Sequence, residues 1–316
     1  MWLLNKKAKQ RNDNEVAALY WQDDQLSLLA GSQTSHQQFL INVQAPIAHS
    51  ETTLATALKE TIHHHQLEHT PTTVVLPSNR FELFLLDSLP INDNEIHAAL
   101  RWRLKELITY PIQEACWDYF QIPTHDARNY LLCAIVSPES WLRKVCEQVK
   151  IAGLNMSNIT IPQISLKNLL VHYPKNINGT GLLYIENATL KLIILNKETL
   201  YLLRQFDTPY PTFSPDLLYD SNYLDELSLF LQRSFDYYQA QLHQAPLGKL
   251  LLMPQLSQLK DSLSQTLSCQ ISTIEFQQWI DPHSFINHLE GNEIFSLGAL
   301  FGQNHVATNQ SLSATS

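Results

Sequence analysis

Apolar and polar positions change period several times along this chain, and each change marks an element. Residues 16–20, 26–30 and 39–43 are short apolar runs separated by polar turns, which predicts an antiparallel three-strand meander. Over 51–67 the period lengthens: Leu54, Ala57, Leu58, Thr61, Ile62 and His65 share one helical face. Residues 73–77 read as a buried strand and 81–87 as another. Asn92-Asp93-Asn94-Glu95 has the spacing of a capping box. It opens a helix whose stripe is Ile96, Ala99, Leu100, Leu104, Leu107 and Ile108. Strands follow at 117–122 and 130–136. Ser137-Pro138 then starts a helix with Leu142, Val145, Cys146 and Val149 inward, and Gly153 ends it.

Past a polar linker at 176–179 the pattern begins again. Residues 182–185, 191–195 and 200–206 predict a second three-strand meander. Leu224, Leu227, Leu231, Phe235, Tyr238 and Leu242 mark a long amphipathic helix. A strand at 249–253, a helix through Leu256, Leu259, Leu263 and Leu267, and a strand at 271–274 complete the half. The chain is thus duplicated in pattern though not in sequence. The expected division is a flexible tail at 1–14, a first subdomain from 15–78 and 137–177, and an inserted α+β unit at 79–136. A second subdomain takes 178–205 and 249–302, a small helical insert 206–248, and a polar, disordered tail 303–316.

Composition narrows the chemistry. A formal charge of −9 argues against a nucleic-acid surface, which would cluster lysine and arginine. The four cysteines form no CxxC pair and read as reduced thiols packed as small hydrophobes. No apolar run reaches the ~18 residues of a membrane span. Met1-Trp2-Leu3-Leu4 precedes Lys6, Lys7, Lys9 and Arg11, the reverse of a signal peptide. The expected location is cytoplasmic, with residues 1–11 offering a weak peripheral contact to anionic lipid. Only eight glycines occur in 316 residues, well under the usual share of about 7%. Phosphate-cradling loops need glycine, because the backbone must approach the anion closely.

His63-His64-His65 with His69 has helical i, i+4 spacing, but Thr70-Pro71 breaks the helix and no aspartate or cysteine partner lies nearby. Histidines at a helix C-terminus are favoured by its dipole, so no metal is expected. Cys133 lies in a core-type strand, which suits packing better than nucleophilic chemistry. No Walker-type loop, GxGxxG or GxSxG is present.

The middle segment carries Leu89-Pro90, the 95–108 helix, Tyr110-Pro111 and Trp117-Asp118-Tyr119; later come Ala152-Gly153-Leu154 and Gln232-Arg233-Ser234-Phe235-Asp236-Tyr237-Tyr238. In that order and spacing the chain resembles the PilM and MshI class of type IV pilus biogenesis proteins, relatives of the division protein FtsA, over residues 15–302. The resemblance implies a duplicated actin-like, RNase H-like ATPase fold with a small α+β insert in the first half. It also implies a role as cytoplasmic adaptor of an MSHA-like assembly platform at the inner membrane. The partners would be the N-terminal tail of a PilN- or MshJ-like membrane protein, seated between the first subdomain and its insert, and other platform proteins.

Where the family's first phosphate loop has Asp-x-Gly, this chain aligns as Leu19-Tyr20-Trp21; for Asp-Ile-Gly it has Tyr184-Ile185-Glu186. The adenosine loop aligns with Met253-Pro254-Gln255-Leu256. The degenerate positions are therefore Leu19, Trp21, Tyr184, Glu186, Pro254 and Gln255, and the expectation is a pseudo-ATPase scaffold without cofactor. The alternative from another class is an active actin-like ATPase or sugar-kinase-like enzyme. Trp102 sits about 200° around its helix from Leu100, off the apolar stripe. With Leu107 and Tyr110 it is the expected anchor for the partner tail, and Trp102→Ala is expected to weaken tail binding by about 2 kcal/mol.

Overall fold

The computed structural model describes residues 14–313, apart from 23, 36–37, 49, 51–52, 89–92, 125–128, 174–178, 187–188, 209–213, 275, 287–288, 290 and 292. The tail at 1–13, Leu89-Pro90, the capping position Asn92 and most of the 176–179 linker lie outside the described residues.

The first half opens with strands β1 (Val16–Trp21), β2 (Gln25–Gln33) and β3 (Phe39–Ala48), then helix α1 (Leu54–His65) and β4 (Pro71–Val75). An insert follows, built of β5 (Glu82–Asp87), α2 (Asp93–Lys105), β6 (Ala115–Pro123) and β7 (Tyr130–Pro138). Helix α3 (Glu139–Ile151), β8 (Asn155–Thr160) and α4 (Pro162–Val171) complete the half. The second half runs β9 (Thr180–Glu186), β10 (Thr189–Asn196), β11 (Thr199–Asp207), α5 (Ser221–Asp236), β12 (Lys249–Met253), α6 (Ser257–Thr266), β13 (Gln270–Thr273) and α7 (Glu293–Ser313).

The sheets make the duplication explicit. One has the order β3-β2-β1-β4-β8 and the other β11-β10-β9-β12-β13, so β1 matches β9 and β4 matches β12. In each sheet the meander is antiparallel and the last two strands are parallel. The second half differs from expectation in one respect. Helix α5, with the π-helical turn Tyr237–Gln241 that extends it, occupies the place of α1 between the third and fourth strands, so it belongs to the repeat. An insert equivalent to the first would leave between β12 and α6, where only residues 254–256 stand. Helical backbone in α7 also continues to Ser313, into the stretch whose polar composition predicts disorder.

Strands β9 and β10 are buried on both faces and accordingly read as nearly continuous apolar runs. Their outer faces, with the inner face of α5, make one core. The outer face of β1, β2 and β4 packs with α1 and α3 in another. Between the sheets lies a central core holding α4 and α7. These two helices are exchanged across it: α4 packs on β9 and β10, whereas α7 packs on β1, β2 and β4. They cross at small residues. A Cβ on Gly298 would lie 2.1 Å from the Ser165 carbonyl oxygen, and one on Gly302 would meet Asn168.

Hydrogen bonds fix the same seam. Asn168 Nδ2 donates to the Gly298 carbonyl (3.2 Å), Ser296 Oγ to that of Ser27 (3.1 Å) and Gln303 Nε2 to that of Ala17 (2.6 Å). Trp279, fully buried, donates its indole N–H to the Leu169 carbonyl at 3.0 Å. Just beyond Trp279 the second-half chain lies along the edge of β3. The Phe39 N–H bonds the Trp279 carbonyl, and the N–H groups of Asp281 and Phe285 bond the carbonyls of Phe39 and Ile41.

The insert is a three-stranded sheet, order β5-β7-β6, with α2 laid on one face through Ile96, Leu100, Leu104 and Ile108. Its other face, including Leu83, Phe120, Ile122, Leu131 and Cys133, joins the central core. Helix α2 ends at Lys105, and Leu107, expected on the stripe, is 42% exposed.

The tight crossing yields a stability test. Gly298→Val should destabilise the protein by about 3 kcal/mol or more in urea titration, because Ser165 meets the new side chain with rigid backbone. Gly291→Ala carries the strain of a φ of +43° but meets nothing among the described residues within 4 Å of the added Cβ, and should cost less than half of that.

Candidate functional site

Two regions carry candidate residues. The first is the seam between the halves, at the ends of β1 and β9 where the aligned phosphate loops fall. Alternation along β1 decides what reaches it. Ala18 and Tyr20 face the central core, whereas Leu19 and Trp21 face outward into the first-half core. Trp21 meets Trp141 there, edge to face at 6.3 Å. Leu19 and Trp21 are therefore not at the seam. Tyr20 pairs with Val75, the last residue of β4, as Tyr184 pairs with Met253, the last of β12. Tyr20 and Tyr184 are thus the equivalent positions, one residue away from the alignment read off the sequence.

Both tyrosine rings pack against Phe295 of α7, at 5.0 Å and 4.9 Å between centroids. Lys191 of β10, only 1% exposed, lies over the rings of Tyr184 and Phe295. Its ammonium donates to the Glu186 carboxylate at 2.5 Å. Burial, with Glu186 as the secondary cause, raises the Tyr20 hydroxyl far above its ordinary range; Tyr184 is raised for the same reasons. Both stay protonated at every physiological pH. Pro254 and Gln255 are exposed, and Gln255 Nε2 bonds the Ile274 carbonyl at 2.8 Å.

Among the described residues of this cluster, the one cation is paired with Glu186 and three aromatic rings fill the space between the sheets, which leaves no free donor there for a phosphate.

The second region is a groove of about 870 Å³ between the insert and the first-half core. One wall is β6, through Cys116, Trp117, Asp118, Tyr119, Phe120 and Gln121; the facing wall is β8, from Met156 to Thr160. Leu76, Ile135, Leu142, Ile161 and Ile164 also line it, and Lys167 of α4 with Glu198–Leu200 of the second half closes one end. Both β6 and β8 are terminal strands of their sheets. Sequence reading missed the residues that line this groove because its walls come from segments separated by some forty residues, and β8 has no apolar alternation to reveal it.

Trp102, Leu107 and Tyr110 do not line the groove. Helix α2 covers the opposite face of the insert sheet. Trp102 is 71% exposed, with Lys105 6.0 Å from its ring centroid, and Tyr110 packs on the insert core. At the end of α1, His63 Nδ1 pairs with Glu68 at 3.0 Å and the His64 and His65 rings meet edge to face. Among the described residues no helix is long and apolar enough to cross a membrane.

No protein-family model matches the chain, and neither does any curated protein. Among solved structures, it is similar to a PilM–PilN type IV pilus biogenesis complex, with TM-score 0.64 and 16% identity over 92% of this chain and 98% of that one. It is similar also to the cytoplasmic domain of EpsL, an inner-membrane component of the type II secretion system of Vibrio cholerae (TM-score 0.51, 12% identity, 92% and 95% covered). A third is a Bacteroides thetaiotaomicron protein with an actin-like ATPase fold (TM-score 0.50, 10% identity, 85% and 93% covered). The fold of this chain is the actin-like ATPase fold.

The seam pair makes a directional prediction. Glu186→Gln leaves the Lys191 ammonium buried without a counter-charge and should cost about 2–4 kcal/mol in chemical denaturation. Lys191→Met combined with Glu186→Gln should recover most of that loss, since the methionine stem can keep packing on Tyr184 and Phe295.

Proposed function

We propose that the protein is an adaptor of an MSHA-like type IV pilus assembly platform at the cytoplasmic face of the inner membrane, and that it has no ATPase activity. Its partner is the N-terminal cytoplasmic tail of a PilN- or MshJ-like membrane protein, held in the groove between the insert and the first-half core. The observation that carries this reading is the groove itself, a largely apolar recess flanked by two terminal strands. It lies between the same two subdomains where the family resemblance places the tail. The likeness in fold to the PilM–PilN complex supports the class of partner. The filled seam supports a scaffold over an enzyme: without room for a nucleotide, opening and closing of the halves has no ligand to drive it. Residues 1–11 add a peripheral contact to anionic lipid, and further platform proteins bind elsewhere on the surface.

Cys116 provides the reporter, because it is exposed and lines the groove. Cys133 is its internal control: burial pushes that thiol up to about 12, so it stays unreactive near pH 8 while the fold holds. Iodoacetamide should label Cys116 first. A synthetic tail peptide of the PilN-like protein should slow that labelling at least about tenfold at saturation. Calorimetry should show no binding of ATP with Mg²⁺ tighter than about 1 mM. Trp102→Ala should leave peptide affinity within about twofold, since it lies outside the groove. Micromolar ATP affinity, or labelling of Cys116 indifferent to the peptide, would overturn the reading.

A further inference from the structure

Two partly buried cations of this molecule are balanced by carboxylates. Lys191 has Glu186 in contact, and Glu198 acts on Lys167 through space. Arg204, half-buried on β11, has no such balance. Its guanidinium lies over the ring of Tyr237, 4.7 Å from the centroid, and Nη1 donates to Ser234 Oγ at 3.2 Å. That hydroxyl is buried and gives its own proton to the Phe230 carbonyl at 2.7 Å. Burial lowers the arginine's pKa, and Tyr237 is the group that opposes the shift. A guanidinium carries several donors in a planar fork, and most of this one's are left over.

A second arginine adjoins the same ring. The Tyr237 N–H bonds the Arg233 carbonyl, so the turn between them is α-helical and the two side chains are neighbours on α5. Arg233 is exposed. Tyr237 is thus flanked by guanidiniums, one from the strand and one from the helix. Among the described residues no carboxylate lies within 4 Å of either. An apolar margin continues the strip. Phe206, on the same face of β11 as Arg204, stacks on Phe230 with centroids 5.1 Å apart. Leu229, one turn before Arg233, is 45% exposed. In a chain of net charge −9, unpaired arginines set among half-buried aromatics have the composition of a binding hot spot.

We propose that Arg204, Arg233 and Tyr237 form a docking site for an acidic segment of a partner protein. The two guanidiniums bind the partner's carboxylates, and a neighbouring apolar side chain of that segment rests against Phe206, Phe230 and Leu229. Held by Tyr237 and Ser234, the Arg204 fork is in place before the partner arrives, so little side-chain entropy is lost when it takes a carboxylate. Arg233 is freer and supplies charge that draws the acidic segment in. None of these residues lines the groove beside the insert, and the site stands whether or not that groove holds a tail.

The test pans a phage-displayed library of random dodecapeptides on the full chain, with a bulky maleimide on Cys116 to exclude binders of the groove. Enriched peptides are synthesised and measured by fluorescence anisotropy against the native protein, Arg204→Gln, Arg204→Lys and Arg233→Gln. Thermal melting of each variant checks that it is folded. Expected are acid-rich peptides with an apolar residue beside the acids, bound more weakly as salt is added. Arg204→Gln and Arg233→Gln should each lower their affinity about tenfold or more. Arg204→Lys keeps the charge but loses the fork and the stack on Tyr237, so it should still weaken binding about threefold or more. Where an Arg204 variant fails to fold, the exposed Arg233→Gln decides alone. Neutral or basic peptides, acidic peptides indifferent to Arg233→Gln, or a library that yields no binder would each overturn the inference.

Discussion

The close crossing of α4 and α7 is the constraint on which the rest of the molecule depends. Each helix belongs by connectivity to one half and packs on the sheet of the other, so the two halves are tied by an exchange rather than by a flat interface. That exchange works only if the helix backbones approach closely, and Gly298 against Ser165 permits it. Once α7 is pinned there, Phe295 falls between Tyr20 and Tyr184, one from each sheet. The seam between the halves becomes a packed core with a buried ion pair at its rim.

This alters what the fold can do. In an actin-like protein with an open cleft, a ligand between the halves can select among their relative positions, because its contacts differ between those positions. Here the equivalent positions of the two halves carry tyrosines that stack on a common phenylalanine, and Lys191 is already paired with Glu186. The halves are held by side chains instead of by a ligand. The groove beside the insert, where α4, β8 and β6 meet, stays open.

Edge management follows the same division of labour. The open edge of β3 is covered by the chain after Trp279, which donates and accepts main-chain hydrogen bonds along it. The free edge of β8 is spoiled by a register shift. Strands β5 and β6 end the insert sheet, both in unbroken register with β7, and β6 borders the groove.

Sequence periodicity by itself determined the duplicated meanders, the insert at 79–136 and the outer helices α1, α2, α3 and α5, because each of these buries one face and shows the other to water. It also placed Trp102 off the apolar stripe of α2, where the structure leaves it exposed. What periodicity did not determine were the elements buried from all sides or paired at an edge: α4, α7 and β8. Helices α4 and α7 are buried against both sheets through most of their apolar residues, so no single apolar stripe marks them. Strand β8 is polar because it borders the groove. Those three elements build both the seam and the site. The frame of the seam also waited for the sheet: a strand alternates faces at every residue, so a one-residue error exchanged Tyr20 for Leu19 and Trp21, and only the pairing of Tyr20 with Val75 fixed it. Lys191, Phe295 and Lys167 are unremarkable letters in the sequence. Their surroundings come from strands and helices far away along the chain, and only the tertiary structure brings these together.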